Sequence, residues 1–262
     1  MLPESPIPVP DRGIAGRAGR ALLAALGFLT RVPLGHARPL PGDLVAAAPL
    51  FPLVGAALGA LVGAVAAAVA LALPALLAGT IAVGLELALT GALHVDGLAD
   101  SADGLAGRDR DEALAIMRDH SVGTYGAAAL GLDLLAKAAA IGALAESGAV
   151  LPVIAAFALS RAAPLPLAAA LPYARSGAGT GRLLAEGMGR SGALAGVALA
   201  AVVAVAATGA SALMLLPCLA VATGAVGAIA HRRLRGVTGD TMGAAIELTA
   251  VMALVVATGI WG

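Results

Sequence analysis

Seven long apolar stretches divide this 262-residue sequence and constrain its fold more than any other feature. A helix needs about 20 predominantly apolar residues to cross the hydrocarbon core of a bilayer. We therefore expect seven transmembrane helices, the first of them tilted or kinked at Pro49 and Pro52. The stretches are Leu44–Leu73, Ala75–Leu93, Gly126–Leu144, Val150–Leu171, Ala193–Ala207, Ser211–Ile229 and Ala244–Trp261.

The composition excludes a soluble protein. Hydrophobic residues make up 60% of the chain and charged residues 12%, whereas a soluble domain carries about 25% charged residues. The single cysteine, Cys218, excludes a disulfide framework. We predict an all-α, polytopic helical bundle embedded in a lipid bilayer.

The first residues have a different character, because they are rich in proline and then in arginine. We expect residues 1–20 to be a flexible tail and residues 21–262 to form a single membrane-embedded domain. The apolar piece Ala21–Leu29 is short for a span, so Ala21–Val32 is predicted to be an interfacial or re-entrant helix.

The positive charges are confined to one set of connections. All but two of the 16 Lys and Arg residues lie in the N-terminal segment or after the second, fourth and sixth apolar stretches. The two exceptions, Lys137 and Arg161, lie inside apolar stretches. The positive-inside rule then predicts that these connections face the cytoplasm.

The segment ALHVDGLADSADGLAGRDRDEA, residues 92–113, is the most acidic part of the chain. In a helix over Val95–Leu105, the carboxylates of Asp96, Asp100 and Asp103 share one face and repel each other near a low-dielectric boundary. Mg²⁺ prefers carboxylate oxygens and supports phosphoryl transfer, so these three aspartates are predicted metal ligands.

Other side chains of the same segment allow other interpretations. His94 is a candidate metal ligand, base or phosphate contact, or simply a polar neighbour at the interface. The remaining acids, Asp109, Asp111 and Glu112, alternate with arginines and are interpreted as a solvated loop.

Ionisable residues inside the apolar stretches are functional candidates, because each is costly in a bilayer unless it is paired or near water. Glu86 lies in the second stretch and Arg161 in the fourth. Asp133 and Lys137 are four residues apart, so they are predicted either to form an ion pair or to serve the substrate.

The segment RGVTGDTMGAAIE, residues 235–247, repeats the pattern of glycines and acids. Asp240 and Glu247 share a helix face and are predicted to form a second wall of the site. Thr238 is a candidate cap of the last helix.

Two further segments suggest phosphate contacts. RDHSVGTYG, residues 118–126, offers Arg118 and the donors of Gly123 and Thr124 at a helix start. The Gly-rich segment LPYARSGAGTG, residues 171–181, contains Arg175 and is either a phosphate loop or an ordinary connector.

Four blocks in this order, HVDGLADSADGL, MRDHSVGTYG, SRAAPL…LPYAR and GVTGDTMGAAIE, resemble the cobalamin synthase family of adenosylcobinamide-GDP ribazoletransferases. The resemblance covers Phe28–Trp261. The sequence departs from the family near His120, where the family carries a basic residue, so a phosphate contact there stays open.

The resemblance implies a Mg²⁺-dependent enzyme of the bacterial cytoplasmic (inner) membrane, with its active site facing the cytoplasm. Such enzymes join adenosylcobinamide-GDP to α-ribazole or its 5′-phosphate, giving adenosylcobalamin or its phosphate, and GMP. His94, Asp96 and Asp240 are then candidate catalytic residues. Candidate contacts to the substrates are Arg118, Gly123, Thr124, Lys137, Arg161, Arg175 and Glu247.

Two other functions remain open at this point. A CDP-alcohol phosphotransferase has the motif D-x-x-D-G-x-x-A-R, but here Gly107 separates the alanine from Arg108 and Lys137 stands where a second aspartate belongs. A transporter would not need six acids in one connection. We expect no nucleic-acid partner, and the sequence does not indicate the oligomeric state.

Overall fold

A computed structural model describes residues 14–33, 41–119, 121–176 and 179–262. Helices dominate these residues, and their sole β contact is an isolated bridge between Tyr173 and Val237. The helices of the first half are α1 (Ile14–Leu29), α2 (Pro41–Ala47), α3 (Phe51–Ala70), α4 (Ala75–Thr90), α5 (Leu93–Gly104), α6 (Arg110–Ile116) and α7 (Thr124–Glu146). Those of the second half are α8 (Val150–Ala162), α9 (Pro164–Ala170), α10 (Thr180–Gly187), α11 (Arg190–Thr208), α12 (Ala212–Leu234) and α13 (Gly239–Trp261). The prediction of an all-α membrane bundle is confirmed.

The number of spans differs from the seven expected. Five segments of the described chain are long and apolar enough to cross a bilayer, or six if the bent pair α4 and α5 counts as one span. The five are Gly42–Ala70, Thr124–Glu146, Val150–Ala170, Arg190–Leu234 and Gly239–Trp261.

The difference arises at Arg190–Leu234, which contains the predicted fifth and sixth stretches. Its 45 residues would measure about 68 Å as one helix, more than twice the thickness of the hydrocarbon core. The chain breaks at Gly209, whose φ is 60°, and separates α11 from α12. Both predicted stretches are therefore helical, with a short 3₁₀ turn over Gly209–Ser211 between them.

The first span is interrupted where the prolines predicted it. A 3₁₀ turn over Ala48–Leu50 separates α2 from α3 and contains Pro49, and Pro52 stands in the first turn of α3. Beyond the interruption α3 packs closely on α8, because a side chain at Gly59 would lie 2.8 Å from the carbonyl oxygen of Val153. Small residues permit such close packing between helices that have no hydrophobic drive to associate in lipid.

The N-terminal helix α1 is too short for a span, and its place as an interfacial or re-entrant helix stays a prediction. Its apolar part, Ala18–Leu29, is shorter than a span, and the Phe28 ring stacks on that of Phe51 at 5.3 Å between centroids. The helix begins at Ile14, inside the segment expected to be a tail, while residues 1–13 lie outside the described part of the chain.

The three connections that follow α5, α9 and α12 meet at one end of the bundle, which we call the charged face (described residues 105–119, 121–123, 171–176, 179–189 and 235–238). Arg110 joins all three, because its guanidinium donates to the carbonyl oxygens of Leu234 at 2.8 Å and Ala174 at 2.6 Å. The prediction that the basic connections lie on one side is thus supported by direct contacts among them.

Candidate active site

The site begins at the break between α4 and α5. Gly91 and Ala92 adopt left-handed conformations, with φ of 64° and 56°, and the two helix axes meet at 92°. The chain then continues as α5, so the predicted helix over Val95–Leu105 is confirmed as Leu93–Gly104.

The three aspartates of α5 occupy different environments. Asp96 is exposed, Asp100 is half-buried and Asp103 is buried. Both oxygens of Asp103 accept hydrogen bonds, one from the N–H of Gly123 at 2.7 Å and one from the N–H of Gly126 at 2.8 Å. Asp103 therefore anchors the start of α7, where a negative charge also interacts favourably with the helix dipole.

This anchor changes two of the sequence expectations. The N–H group of Gly123, which we expected to bind substrate phosphate, holds the chain's own carboxylate. The same contacts give Asp103 a structural role, and metal binding by Asp103 stays a prediction. Thr124 is exposed beside this anchor, and the structure gives its side chain no contact with the cavity described next.

A cavity of about 230 Å³ lies between α5, α13 and the loop that follows α9. We call it the acidic cavity, and its polar lining consists of His94, Asp96, Tyr173, Arg175, Thr180 and Asp240. The structure thus brings together four predicted site residues that are up to 146 positions apart in the sequence. Asp240 supplies the second wall, as expected, and pairs with the Arg175 guanidinium at 2.5 Å.

Backbone contacts fix the two walls of the acidic cavity. The N–H of Val237 donates to the carbonyl oxygen of Pro172, and the N–H of Ala174 donates to the carbonyl oxygen of Val237. Both hydrogen bonds measure 2.8 Å. Arg175 also donates to the carbonyl oxygen of Met117 at 3.0 Å. The segment interpreted as either a phosphate loop or a connector is therefore a cavity wall attached to the start of α13.

The first turn of α13 is capped as predicted. The Thr238 hydroxyl accepts from the N–H of Thr241 at 3.2 Å, and the Thr241 hydroxyl accepts from the N–H of Thr238 at 2.9 Å. Such reciprocal capping satisfies donors that the helix itself leaves free. The cap fixes Asp240, which stands in this turn, against α5.

Close approach of α5 and α13 completes the wall. A Cβ atom at Gly97 would lie 2.8 Å from the carbonyl oxygen of Asp240, so any larger residue there would push the two helices apart. Gly97 therefore leaves room for the backbone of α13.

The cavity carboxylate Asp96 and its neighbour Asp100, which stands one helix turn further along α5, fit a magnesium ion in one specific way. The charges of Asp240, Asp96 and Asp103 all act on Asp100, and Arg175 offsets them in part. Within the described chain, no group of three His, Cys, Asp or Glu side chains is placed to hold a metal ion on its own. Mg²⁺ is commonly bound by one or two carboxylates together with substrate phosphates and water. Asp96 and Asp100 suit that mode, and metal binding stays a prediction.

His94 lies at the floor of the acidic cavity. It is buried, and both of its ring nitrogens lack a hydrogen-bond partner in the described structure. Buried polar groups are normally satisfied, so an unsatisfied imidazole at a cavity wall suggests a ligand or water contact.

Three predicted substrate contacts lie elsewhere, in a group that we call the intramembrane ion cluster. Its members are Glu86, Asp133, Lys137, Arg161 and Glu247. The Lys137 ammonium pairs with Glu86 at 3.1 Å, with Asp133 at 3.5 Å and with Glu247. The predicted Asp133–Lys137 pair is confirmed.

Arg161 completes this cluster. Its guanidinium pairs with Glu86 at 2.9 Å and lies 4.6 Å from the centre of the Phe157 ring. Arg161 and Lys137 are fully buried, and neither they nor Glu247 line the acidic cavity. The expectation that Glu247 would share the wall with Asp240 is not reproduced, because seven residues carry the helix about 10 Å deeper into the bundle.

Sequence reasoning missed Tyr173 and Thr180 as cavity residues. Both belong to or adjoin the Gly-rich segment 171–181, and the available signal was an aromatic residue two positions before Arg175. Arg118 lies in a second cavity at the charged face, together with Arg110 and Arg175. His120 lies outside the described residues.

The remaining acids of the 92–113 segment have structural partners. Asp109 caps α6 by accepting from the N–H groups of Asp111 and Glu112. Arg108 pairs with Glu112 at 3.1 Å, and this hydrogen bond keeps the pKa of Glu112 below its usual value. The expected solvated loop is therefore corrected in part: Asp109 and Asp111 are exposed, but Asp111 and Glu112 lie in the first turn of the helix α6.

Comparison with known proteins supports one family. Residues 21–258 match the family model described as CobS, cobalamin-5-phosphate synthase. No solved structure gives a significant match to the chain.

Three relatives illustrate the similarity, and each is named adenosylcobinamide-GDP ribazoletransferase. The protein from Syntrophobacter fumaroxidans is 37% identical over 88% of this chain and 94% of its own length. The protein from Sinorhizobium medicae is 38% identical over 88% and 92%, and that from Azorhizobium caulinodans is 42% identical over 86% and 90%. These relatives do not favour a CDP-alcohol phosphotransferase or a transporter. The chain belongs to the cobalamin-5-phosphate synthase family.

Proposed function

We propose that this protein joins adenosylcobinamide-GDP to α-ribazole, or to its 5′-phosphate, and releases GMP. The products are adenosylcobalamin, or its phosphate, and GMP. The observation that carries the proposal is the acidic cavity in a chain whose relatives are named for this transfer. Its carboxylates, its arginine and its free imidazole are the groups that a phosphoryl transfer requires.

The transfer exchanges one phosphorus–oxygen bond for another. The 5′-hydroxyl oxygen of α-ribazole attacks the phosphorus that is attached to cobinamide. The bond from that phosphorus to the bridging oxygen breaks, and GMP leaves with the electron pair. The proton of the attacking hydroxyl must pass to a base in the cavity.

We assign proton acceptance to His94. Asp240 is the alternative base, but its carboxylate already accepts from Arg175. Both ring nitrogens of His94 are buried and have no hydrogen-bond partner among the described residues, and His94 lines the same cavity. A base must come within hydrogen-bond reach of the proton that it removes, and a free nitrogen at the cavity floor meets this requirement best.

Asp96 and Asp100 are the proposed ligands of Mg²⁺, together with oxygens of the substrate diphosphate. When bound, Mg²⁺ offsets the charge that develops on the phosphate oxygens. Arg175 faces the same space and would orient the diphosphate through its guanidinium donors. Asp240 holds Arg175 in that orientation.

The proposed location is the bacterial cytoplasmic membrane, with the charged face towards the cytoplasm. The distribution of arginines supports this orientation by the positive-inside rule. A Cys218→Ala, Arg182→Cys variant tests it, since Arg182 lies in α10 at the charged face. We expect a membrane-impermeant maleimide to label this cysteine only after the cells are opened. Labelling of intact cells would reverse the orientation.

The function is tested by GMP release from the purified protein in lipid nanodiscs. We expect release when adenosylcobinamide-GDP, α-ribazole and Mg²⁺ are all present, and a cobalamin product in equal amount. Omitting α-ribazole or adding a chelator should stop the release. No GMP release from folded protein with the complete mixture would refute the proposed function.

A further inference from the structure

A second cavity of about 360 Å³ opens at the charged face between α6 and the loop that follows α9. We call it the arginine cavity, because Arg110, Arg118 and Arg175 all line it. Its single acidic residue is Asp111, whose side chain is 91% exposed to solvent. The volume lies within the range of about 300–1,000 Å³ that is typical of small-molecule sites.

The three arginines differ in how many donors they have left. Arg110 gives two of its groups to the backbone carbonyls of Leu234 and Ala174 and so builds the wall. Arg118 is exposed, and within the described residues its guanidinium has no hydrogen bond or ion pair. The Nε of Arg175 is buried and has no hydrogen-bond partner in the described structure. Arg118 therefore has its donors available at the arginine cavity, and Arg175 keeps one donor without a partner.

Arg175 is shared by the two cavities. It lines the acidic cavity beside Asp240 and lines the arginine cavity beside Arg118. A phosphate beside the Arg175 guanidinium would therefore lie next to both cavities. The donor of the proposed reaction carries a diphosphate that ends in a nucleoside.

We propose that the arginine cavity binds the nucleoside monophosphate half of the donor and retains it until it leaves. This inference rests on the proposed function and adds a subsite to it. Arg118 and Arg175 contact the outer phosphate, since guanidinium donors bind phosphate oxygens in pairs. Arg110 keeps its structural contacts. The phosphate of an anionic lipid has the same chemistry, but the shared wall with the acidic cavity favours the nucleotide.

Binding of radiolabelled GMP to the protein in phosphatidylcholine nanodiscs tests the subsite without turnover. We expect wild-type protein to bind GMP and Arg118→Gln to bind it about tenfold more weakly, which is the effect of losing one charged hydrogen-bonding group. Arg118→Lys keeps the charge without the paired donors and should bind with intermediate affinity. The matched control is Arg108→Gln, because Arg108 is exposed on the same face but pairs with Glu112 outside the cavity.

Turnover provides a second readout. In Arg118→Gln, the KM for adenosylcobinamide-GDP and the inhibition constant for GMP should both rise about tenfold. The KM for α-ribazole should stay within about twofold, because no ribazole contact is removed.

Three results would overturn the subsite. They are absence of GMP binding to wild-type protein, equal GMP binding by wild type and Arg118→Gln, and GMP binding in phosphatidylcholine that phosphatidylglycerol abolishes. The last result would assign the arginine cavity to a lipid headgroup. Each leaves GMP release by the wild-type enzyme intact, so failure of the subsite is distinguishable from failure of the proposed function.

Discussion

The intramembrane ion cluster and the acidic cavity both gather ionisable side chains, and α13 contributes one carboxylate to each. In the cluster, Glu247 contacts a lysine that is also paired with two other carboxylates, and all of these groups are buried. In the cavity, Asp240 pairs with one arginine and Asp96 is exposed, while the half-buried Asp100 lies close enough to feel both charges without lining the cavity. Charges that lie about 10 Å apart along one helix thus have opposite relations to solvent.

The difference separates a structural role from a ligand-binding role. Removing one partner of a buried ion pair destabilises the fold, because the other charge is left buried and uncompensated. The cluster joins α4, α7, α8 and α13, and its side chains line neither the acidic cavity nor the cavity beside Arg118. The cavity has carboxylates in excess over cations, so a bound cation would complete it.

The largest effect on stability is expected from Lys137→Met. The substitution leaves the carboxylates of Glu86, Asp133 and Glu247 without their shared cation and should cost about 3–5 kcal/mol. Thermal unfolding in detergent measures the loss. The exposed Arg190→Met at the start of α11 is the control, and an unchanged melting temperature for Lys137→Met would remove the structural role of the cluster.

The largest effect on turnover with an intact fold is expected from Asp100→Asn. Losing one group that stabilises charge in the transition state should lower kcat by about 100-fold or more. The melting temperature should change little, because Asp100 is only half-buried. Glu146→Gln, an exposed carboxylate at the far end of α7, should leave kcat unchanged. Wild-type turnover by Asp100→Asn would show that Asp100 has no part in the reaction.

Asp103→Asn is expected to have a smaller effect, on stability rather than on metal binding. It tests whether Asp103 anchors α7 or binds the metal. The asparagine amide keeps one oxygen acceptor, but its NH₂ group would face the second backbone N–H, donor against donor. We therefore expect the free energy of unfolding to fall by about 1–3 kcal/mol. Metal affinity should remain at the wild-type level. A parallel titration with Mn²⁺ checks this, and weaker metal binding with unchanged stability would restore Asp103 to the metal site.

The smallest effect is expected from Thr238→Ala. Removing the cap of α13 should cost about 1 kcal/mol and raise the KM for the donor through loss of the Asp240–Arg175 geometry. Thr238→Ser retains the hydroxyl and should restore both quantities. If alanine and serine behave alike, the cap does not position the cavity wall.

The parts of the fold predictable from sequence are those set by local pattern. The apolar stretches are helical in the structure. Asp133 and Lys137, which are spaced i, i+4, form an ion pair, and Thr238 caps α13. Each of these depends on residues within one helix turn or on the length needed to cross a bilayer.

The parts that could not be predicted depend on contacts between distant residues. Glu86 and Lys137 are 51 positions apart, and Lys137 and Glu247 are 110 apart. The spacing of Asp96, Asp100 and Asp103 correctly gave one helix, but it did not reveal that Asp103 reaches the N–H groups of α7. The sequence therefore predicted one site on this face of α5. In the structure, Asp96 lines the acidic cavity whereas Asp103 binds the start of α7.

The central claim is that the acidic cavity holds a divalent cation jointly with the diphosphate of the donor. Electron paramagnetic resonance of Mn²⁺ in the presence and absence of adenosylcobinamide-GDP tests it most directly. The account predicts that the donor tightens Mn²⁺ binding by wild-type protein at least about tenfold and has no such effect in an Asp96→Asn, Asp100→Asn variant. Equal donor-dependent binding by the two proteins would contradict it.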